Sequence, residues 1–379
     1  MKQEFVQVMR RTLGRSEASL HEPEFLGNEH KYVTDCLNTT FVSGNGAYVS
    51  SFAEAIGKFC GVKHVVPVSS GTAALQIALI VAGVKPGEEV LVPALTFVAT
   101  ANAVKHCNAT PHFVDVELET FGVDVSALRK FLIVNTISKG GVCVNKKTGQ
   151  IIRAIVPVHI FGHPCKIIDL LKLASEFNIQ VVEDAAEGLG SLYKGQHVGT
   201  FGQMGVLSFN GNKIITTGNG GAILTNNEDF AKRANHITNT AKLPHAFEYF
   251  HDEVGYNYRL SNLNAALGCA QLESLEEKIC QKRELFHIYR RAFKSFDCFE
   301  LVGEPKNARS NFWLNTIMLK DANLKQRNEF LSFVNSNGFL CRPAWSLNNK
   351  LPPFINCPSM PTPVAEDLVK KLINIPSSN

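Results

Sequence analysis

The feature that most constrains the fold is an alternation of short β-rich runs and helical segments between residues 62 and 185. The β-rich runs include HVVPVSS, EEVLVPAL, HFVDVE, IIRAIVPVHI and IQVVEDAAE. Helical segments of roughly 10–15 residues separate them, as in sheets whose strands run parallel. The sequence therefore predicts an α/β protein with a parallel sheet covered by helices on both faces.

The pattern changes near residue 245. An aromatic stretch, HAFEYFHDEVGYNYRLSNL, precedes one long predicted helix with Leu263, Leu267, Leu275 and Ile279 on one side. The last third holds a predicted strand, NFWLNTIML, a helix, LKQRNEFLSFVNSNG, and a closing helix, VAEDLVKKLINI. We expect a large domain of residues 1–245, with an amphipathic N-terminal helical segment, and a small α+β domain of residues 246–379.

Composition excludes several classes of protein. The net charge is only +4 over 379 residues and no basic run dominates, so nucleic acid is not an expected partner. The ten cysteines show no close pairs of the zinc or redox kind, which favours free thiols in a reducing cytoplasm and no metal site. The N-terminus does not resemble a signal peptide, and no apolar run suggests a membrane span.

Lys213 lies in the stretch VLSFNGNKIITTGNGG, between small turn-forming residues and a tight apolar turn. These surroundings predict a side chain that is held in place. Burial disfavours the charged form of an amine, and a neutral lysine is a nucleophile toward carbonyls. Taken alone, this stretch is equally consistent with a surface lysine in a glycine loop.

Other candidates follow the ends of predicted strands, where ligands of parallel sheets bind. The segment SSGTAA at 69–74 suits an anion at a helix N-terminus or a simple N-cap. Asp184 is consistent with three roles, namely pairing with a protonated ring nitrogen, capping a helix or forming a salt bridge. Phe97 suits ring stacking, although core packing is commoner for phenylalanine. His159 and His163 flank a turn. They are consistent with site residues and equally with loop histidines whose hydrogen bonds are satisfied within the protein.

The set is more informative than its members. A phosphate cradle, a ring-stacking residue, an acid for a pyridine nitrogen and a lysine occur in one α/β unit. These are the requirements of pyridoxal phosphate, whose enzymes pair a Schiff-base lysine with an acid at the pyridine nitrogen.

These segments resemble the DegT/DnrJ/EryC1/StrS family of sugar aminotransferases, over essentially the whole chain. The matching segments are SSGTAAL, PALTFVATANAV, FVDV, VHIFGHP, VVEDAAE, GTFGQMGVLSFNGNKIITTGNGG, GYNYRLSNLNAALGCAQL and NIPSS. The resemblance implies the aspartate-aminotransferase fold (fold type I), with a mostly parallel seven-stranded sheet sandwiched by helices. It also implies a homodimer with shared active sites.

The resemblance also implies roles for individual residues. Lys213 would form the Schiff base with the cofactor, Asp184 would pair with the pyridine nitrogen and Phe97 would stack on the ring. Glu187 stands where many relatives carry glutamine, near the phenolic oxygen, and would have to be protonated or bridged by water. Further cofactor contacts are expected from Gly71, Thr72, Ala73, Ser208, Asn210 and, from the neighbouring subunit, Asn257. Substrate contacts are expected from Ser43, Gly44, His159, Arg259, Arg342 and Trp345.

The implied reaction moves the amino group of L-glutamate to a nucleotide-linked keto-sugar. LHEPEFLGNEHKYV and SFNGNKIITTGNGG are most similar to enzymes that aminate UDP-linked 4-keto-6-deoxy-N-acetylhexosamines for surface glycans; a dTDP- or GDP-linked keto-sugar is the alternative. A NAD-dependent sugar dehydrogenase would need GxGxxG after the first strand, and none is present there. A non-catalytic cofactor-binding protein would not need both Lys213 and Asp184.

Overall fold

The computed structural model describes residues 2–378. The α-helices of this range are α1 (Lys2–Leu13), α2 (Glu29–Asn38), α3 (Ala47–Cys60), α4 (Gly71–Val81), α5 (Val98–His106), α6 (Val125–Asn135), α7 (Ile167–Glu176), α8 (Glu228–Thr238), α9 (Asn262–Glu273), α10 (Leu275–Ala292), α11 (Leu324–Ser336) and α12 (Pro363–Leu368). The strands are β1 (His64–Val68), β2 (Glu89–Pro93), β3 (Thr110–Val114), β4 (Thr136–Lys139), β5 (Val142–Asn145), β6 (Ile152–Ile155), β7 (Gln180–Asp184), β8 (Leu192–Tyr193), β9 (Gln196–His197), β10 (Met204–Ser208), β11 (Gly221–Thr225), β12 (Lys242–Leu243), β13 (Phe250–His251), β14 (Phe299–Leu301), β15 (Ala308–Arg309), β16 (Asn315–Leu319), β17 (Arg342–Pro343) and β18 (Leu372–Ile375). Short 3₁₀ turns span Ile160–Gly162 and Asn348–Lys350.

A seven-stranded sheet forms the centre of the molecule, in the order β1-β11-β10-β7-β6-β2-β3. Strand β11 is antiparallel to both neighbours, whereas the pairs β10–β7, β7–β6, β6–β2 and β2–β3 are parallel. Strands β2 and β11 are buried along their whole length, as expected for strands covered on both faces. The predicted α/β class with a mostly parallel sheet is confirmed.

The register of the central strands places the expected site residues at one edge of the sheet. In the parallel pair β7–β10, Asp184 lies opposite Val206, so that Ser208 extends just beyond it. Helix α4 begins three residues after β1 ends, and α5 begins at Val98, directly after Phe97. Residues far apart in sequence therefore meet at this edge.

A second, antiparallel sheet in the order β14-β16-β18-β17 lies in the C-terminal part of the chain. Its hydrophobic cluster includes Phe5 and Met9 of α1, Phe293 just after α10, and Phe330 of α11. The rings of Phe5 and Phe293 stack with centroids 5.4 Å apart. The apolar side chains of α1 thus pack with C-terminal residues, although the predicted division assigned this helix to the large domain; the boundary near 245 itself stays a prediction.

Two predicted helices are wrong in their extent. The long helix is interrupted at Ser274, because α9 ends at Glu273 and α10 begins at Leu275. Helix α9 packs closely on α3, where a Cβ at Gly268 would lie 2.5 Å from the ring of Phe52. The closing helix ends at Leu368, and LINI instead forms β18, which is fully buried between β16 and β17.

Two findings bear on the environment of the protein. All ten cysteines are free thiols. Within residues 2–378, no helix has both the length and the apolar character required to cross a membrane.

Candidate active site

A cavity of about 320 Å³ lies at the carboxyl ends of β7 and β10, beside the N-terminus of α4. Side chains from the first and the last thirds of the chain both contribute to its wall. The sequence-predicted residues that line it are Gly71, Thr72, Phe97, Asp184, Glu187, Ser208, Asn210, Lys213 and Trp345.

The N-terminus of α4 forms one wall. Ser70 is its N-cap, and the Ser70 hydroxyl accepts a hydrogen bond from the N–H of Ala73 at 3.1 Å. The N–H groups of Gly71 and Thr72 belong to the first turn, which has no intrahelical acceptors. A Cβ at Gly71 would lie 2.8 Å from the Cβ of Ser208, so only glycine fits this close approach. Exposed N–H groups and the helix field make this wall suitable for an anion.

Asp184 forms the floor of the cavity at the end of β7. The hydroxyl of Thr100 donates to its Oδ2 at 2.8 Å, and the N–H of Ala186 donates to its Oδ1 at 3.1 Å. Burial raises the pKa of this carboxyl, whereas the two hydrogen bonds and the charge of Lys213 oppose that rise. A buried carboxylate with these donors can stabilise a positive charge placed in the cavity.

Lys213 points into the cavity from the turn after β10. Its Nζ lies 3.2 Å from Oε1 of Glu187 and 4.0 Å from the ring centroid of Trp313. Its backbone N–H donates to the carbonyl oxygen of Asn210 at 2.9 Å, which closes the turn. The side chain is mostly buried, which favours the held lysine over the surface lysine that the stretch alone left open.

Glu187 is fixed at both oxygens. Lys213 contacts Oε1, and the N–H of Phe161 donates to Oε2 at 2.8 Å. Phe161 has the left-handed φ of 58°, which is uncommon for a non-glycine residue and occurs here beside the site. Burial raises the pKa of Glu187, and the charge of Lys213 opposes that rise.

Phe97 exposes an aromatic face to the cavity. Its side chain is 51% exposed, which is unusual for phenylalanine in this otherwise buried region. It also contacts Trp345, with ring centroids 6.2 Å apart, and Trp345 in turn stacks on Phe161 at 5.1 Å. An exposed ring that packs against a second aromatic side chain is suited to stacking on a flat ligand.

Arg342 and Trp345 reach a second cavity of about 740 Å³, which adjoins the first. Trp345, Trp313 and Asn212 line both cavities. The basic side chains that line the second cavity are Arg327, Arg342, Lys350 and Lys370, against one acidic side chain, Glu366. This wall carries an excess of positive charge.

Two predicted residues do not reach the cavity. Ala73 does not line the cavity, and the N–H of Ala73 donates to the hydroxyl of Ser70. His159 is fully buried behind β7, where its Nε2 lies 3.0 Å from Glu183 and its Nδ1 accepts the N–H of Cys165 at 3.2 Å. Both ring nitrogens are thus engaged within the protein, so this position gives no support to the predicted substrate contact.

Four other predicted residues lie together but outside both cavities, namely Ser43, Gly44, Asn257 and Arg259. A Cβ at Gly44 would lie 3.1 Å from the Cβ of Arg259, and Arg259 donates to Asn235 at 2.7 Å. Asn257 is exposed. In a single chain, these residues do not meet Lys213.

Sequence reasoning missed several lining residues. Thr100 lies one helical turn after Phe97 in α5, and this spacing was a usable signal because both face the same edge of the sheet. Trp313 and Asn212 carried no local signal. The indole N–H of Trp313 donates to the carbonyl oxygen of Asn212 at 2.7 Å, a contact between residues about 100 positions apart.

Comparison with known proteins agrees with this geometry. The profile of the DegT/DnrJ/EryC1/StrS aminotransferase family matches residues 24–379. The chain is 36% identical to a GDP-perosamine synthase of Escherichia coli O157:H7 over 358 residues, 94% of this chain and 92% of that protein. It is 30% identical to a UDP-4-amino-4,6-dideoxy-N-acetyl-beta-L-altrosamine transaminase of Campylobacter jejuni, over 76% of this chain and 72% of that protein.

Among solved structures, the PLP form of a sugar aminotransferase (Spr1654) from Streptococcus pneumoniae superposes with a TM-score of 0.86 at 22% identity, covering 96% of this chain and 94% of that one. The shared fold is the PLP-dependent aminotransferase fold predicted from the sequence. Because the family profile spans most of the chain and a relative is 36% identical over 94% of it, this chain belongs to the DegT/DnrJ/EryC1/StrS aminotransferase family, whose cofactor is pyridoxal phosphate.

Proposed function

We propose that this protein transfers the amino group of L-glutamate to the 4-keto carbon of a nucleotide-linked 4-keto-6-deoxy sugar in the cytoplasm. The observation that carries the proposal is the amine of Lys213 at 3.2 Å from Glu187, in one cavity with Asp184 and the N-terminus of α4. A nucleophilic amine, an acid and an anion site within one cavity are what this transfer requires.

The residues present fit pyridoxal phosphate. The first-turn N–H groups at Gly71 and Thr72, next to Ser208, suit its phosphate, and the close approach of Gly71 to Ser208 leaves no room for a Cβ there. Bound there, the cofactor supplies a ring that accepts negative charge from the carbon beside the amine. Asp184 would stabilise positive charge on its ring nitrogen, and Phe97 would stack on the ring.

Lys213 has two tasks in this proposal. It would link the bound cofactor to the protein at rest, and its Nζ would carry a proton between the reacting carbons. Glu187, held by the N–H of Phe161, keeps that amine close to one place. Burial raises the pKa of Glu187, whereas the charge of Lys213 and the N–H of Phe161 oppose that rise.

The sugar nucleotide is assigned to the second cavity. Its basic side chains, among them Arg342 and Lys370, suit a diphosphate, and Trp345 offers a flat face. The sequence motifs predicted a UDP-linked 4-keto-6-deoxy-N-acetylhexosamine. The higher identity and coverage of the relative named for a GDP-linked sugar favour a GDP-linked 4-keto-6-deoxyhexose as the first candidate, with the UDP-linked sugar second.

The active unit in this proposal is a homodimer. Asn257 and Arg259 lie outside the cavity of their own chain, and the nearby Phe247, Tyr249 and Val254 are 81%, 80% and 85% exposed. Large apolar side chains exposed in one segment are typical of an interface. A second subunit packed there would bring Asn257 to the phosphate of the neighbouring site.

The decisive experiment supplies purified protein with cofactor, L-glutamate and GDP-, UDP- or dTDP-linked 4-keto-6-deoxy sugars, and measures the product mass. We expect a nucleotide-linked 4-amino sugar and 2-oxoglutarate. The matched control is the same keto-sugar without its nucleotide, which should react poorly because remote binding energy positions the reacting carbon. Equal rates with the free sugar, or no amino sugar from any of the three, would contradict the proposal.

A further inference from the structure

Trp313 lies against the amine of Lys213 and carries no role so far. Its ring centroid is 4.0 Å from Nζ, on a wall shared by both cavities, and its side chain is almost fully buried. The carboxylate of Glu187 contacts the same nitrogen at 3.2 Å. The amine therefore lies between an aromatic face and an acid, two groups that both attract an ammonium ion.

Three hydrogen bonds fix Trp313, one at its indole ring and two at its main chain. Its ring N–H donates to the carbonyl oxygen of Asn212 at 2.7 Å, and its backbone N–H donates to Oδ1 of Asn311 at 2.8 Å. Lys282 donates to its carbonyl oxygen at 3.3 Å. A ring tied at these points keeps one face toward Lys213.

Asn311 couples this ring to the acid. Its side-chain amide donates to the carbonyl oxygens of Glu187 and Leu189, at 2.9 and 2.8 Å, while its Oδ1 accepts from Trp313. Asn311 is fully buried, so these bonds do not compete with water. One asparagine of the C-terminal segment thus fixes the acid-bearing loop after β7 relative to the aromatic ring.

We propose that Trp313, oriented by Asn311, is a positioning residue that holds the Lys213 ammonium beside Glu187 whenever this lysine is not linked to a carbonyl. The proposal rests on the proposed function, in which Lys213 alternates between a linked and a free state. A fixed position for the free amine keeps it within reach of the reacting carbons and limits its movement into the larger cavity.

The test uses protein prepared without cofactor. Lys213 is acylated with an amine-selective reagent across a range of pH and its peptide is quantified by mass, with the exposed Lys172 as internal reference. The pH at which acylation of Lys213 is half-maximal reports the charge of the amine and not its accessibility. A wider opening to the reagent would raise the acylation rate at every pH without moving this midpoint. The charge of Lys213 affects the pKa of three titratable groups, Glu187, Asp184 and His21. None of these groups is changed in the variants.

Two substitutions separate the aromatic face from the indole hydrogen bond. Trp313→Leu removes both, so its midpoint should fall by about half to one pH unit, the shift that loss of a desolvated cation–π contact gives. Trp313→Phe keeps a ring face without the N–H donor and should stay close to the native midpoint. Phe312→Leu, at an equally buried neighbour that packs on Phe286, is the matched control and should not move it.

In the loaded enzyme, kcat of Trp313→Leu should fall roughly tenfold, and Trp313→Phe should recover most of it. Equal midpoints in the Leu and native proteins, or equal shifts in the Leu, Phe and Phe312→Leu proteins, would overturn the proposal. Borohydride reduction that fixes the cofactor to another lysine would instead defeat the proposed function, so the two failures are distinguishable.

Discussion

The cavity around Lys213 and the segment from Lys242 to Arg259 differ in how much of their environment one chain supplies. In the cavity, both oxygens of Asp184 and of Glu187 have hydrogen-bond partners from the same chain. In the segment, the large apolar side chains of Phe247 and Tyr249 are about four-fifths exposed. The hydrogen bonds of the first region are satisfied within one chain, whereas the second region leaves most of its large apolar surface exposed.

The difference has a simple physical origin. Parallel strands bring their carboxyl ends to one edge, so a single chain assembles most of the groups that we assign to the cofactor. The contact predicted for Asn257 needs a second surface, because its own chain holds it away from the cavity. Substitutions in the cavity should therefore act within one chain, and substitutions in the segment should act between chains.

The largest effect is expected at Lys213. Lys213→Ala removes both the linking amine and the proton carrier, so turnover should fall by at least about 10³-fold. Borohydride reduction of the native protein should fix the cofactor to the peptide containing Lys213, as read by peptide mass. Lys172→Ala, at an exposed site on α7, is the control and should leave turnover unchanged. Fixation at another lysine would contradict the assignment.

Asp184 should rank second. Asp184→Asn keeps the shape and an oxygen that accepts from the N–H of Ala186, while the hydroxyl of Thr100 turns to accept from the new NH2; the change removes the charge that stabilises a protonated ring nitrogen. Turnover should fall on the order of 10²-fold with the cofactor still bound, as measured by steady-state kinetics and absorbance. Asp169→Asn on exposed α7 is the matched charge control. Near-native turnover of Asp184→Asn would refute this role.

The segment should show the opposite behaviour, because its effect crosses the interface. Asn257→Ala alone should lower activity, and mixing it with Lys213→Ala chains should form hybrid dimers with one site free of both changes. Random mixing should restore about a quarter of the native activity. The measurement is activity after unfolding and refolding the mixture, with sedimentation to count subunits. A fully active monomer, or no recovery of activity in dimers shown to be hybrid, would contradict a site shared between two chains.

The smallest effect is expected at Thr100. Its hydroxyl stabilises the ionised form of Asp184 and so holds down a pKa that burial raises. Thr100→Val removes this bond, the pKa rises further, and the acidic limb of the pH–rate profile should move to higher pH by up to about one unit. Activity at the alkaline side of that limb should change little. Thr100→Ser keeps the donor, and a shift of equal size there would argue against the hydrogen bond as the cause.

Much of the site was predictable because it depends on local patterns. Asp184 ends an apolar run and the segment at 69–74 begins a helix, and both positions follow from the period of apolar residues. The extents of the C-terminal elements were less predictable. LINI continues a helical pattern in sequence, yet pairing with β16 and β17 makes it a buried strand, since its partners lie elsewhere in the chain.

The sequence by itself determined the α/β class and placed Lys213 and Asp184 after the ends of predicted strands, because the alternation of β-rich and helical segments can be recognised locally. Only the tertiary structure decided that Trp313 covers the amine of Lys213, that His159 turns away toward Glu183, and that Asn257 stays outside its own cavity. These positions depend on how the C-terminal segments pack against the ends of β7 and β10. Packing between residues distant in the chain leaves no periodic trace in the sequence.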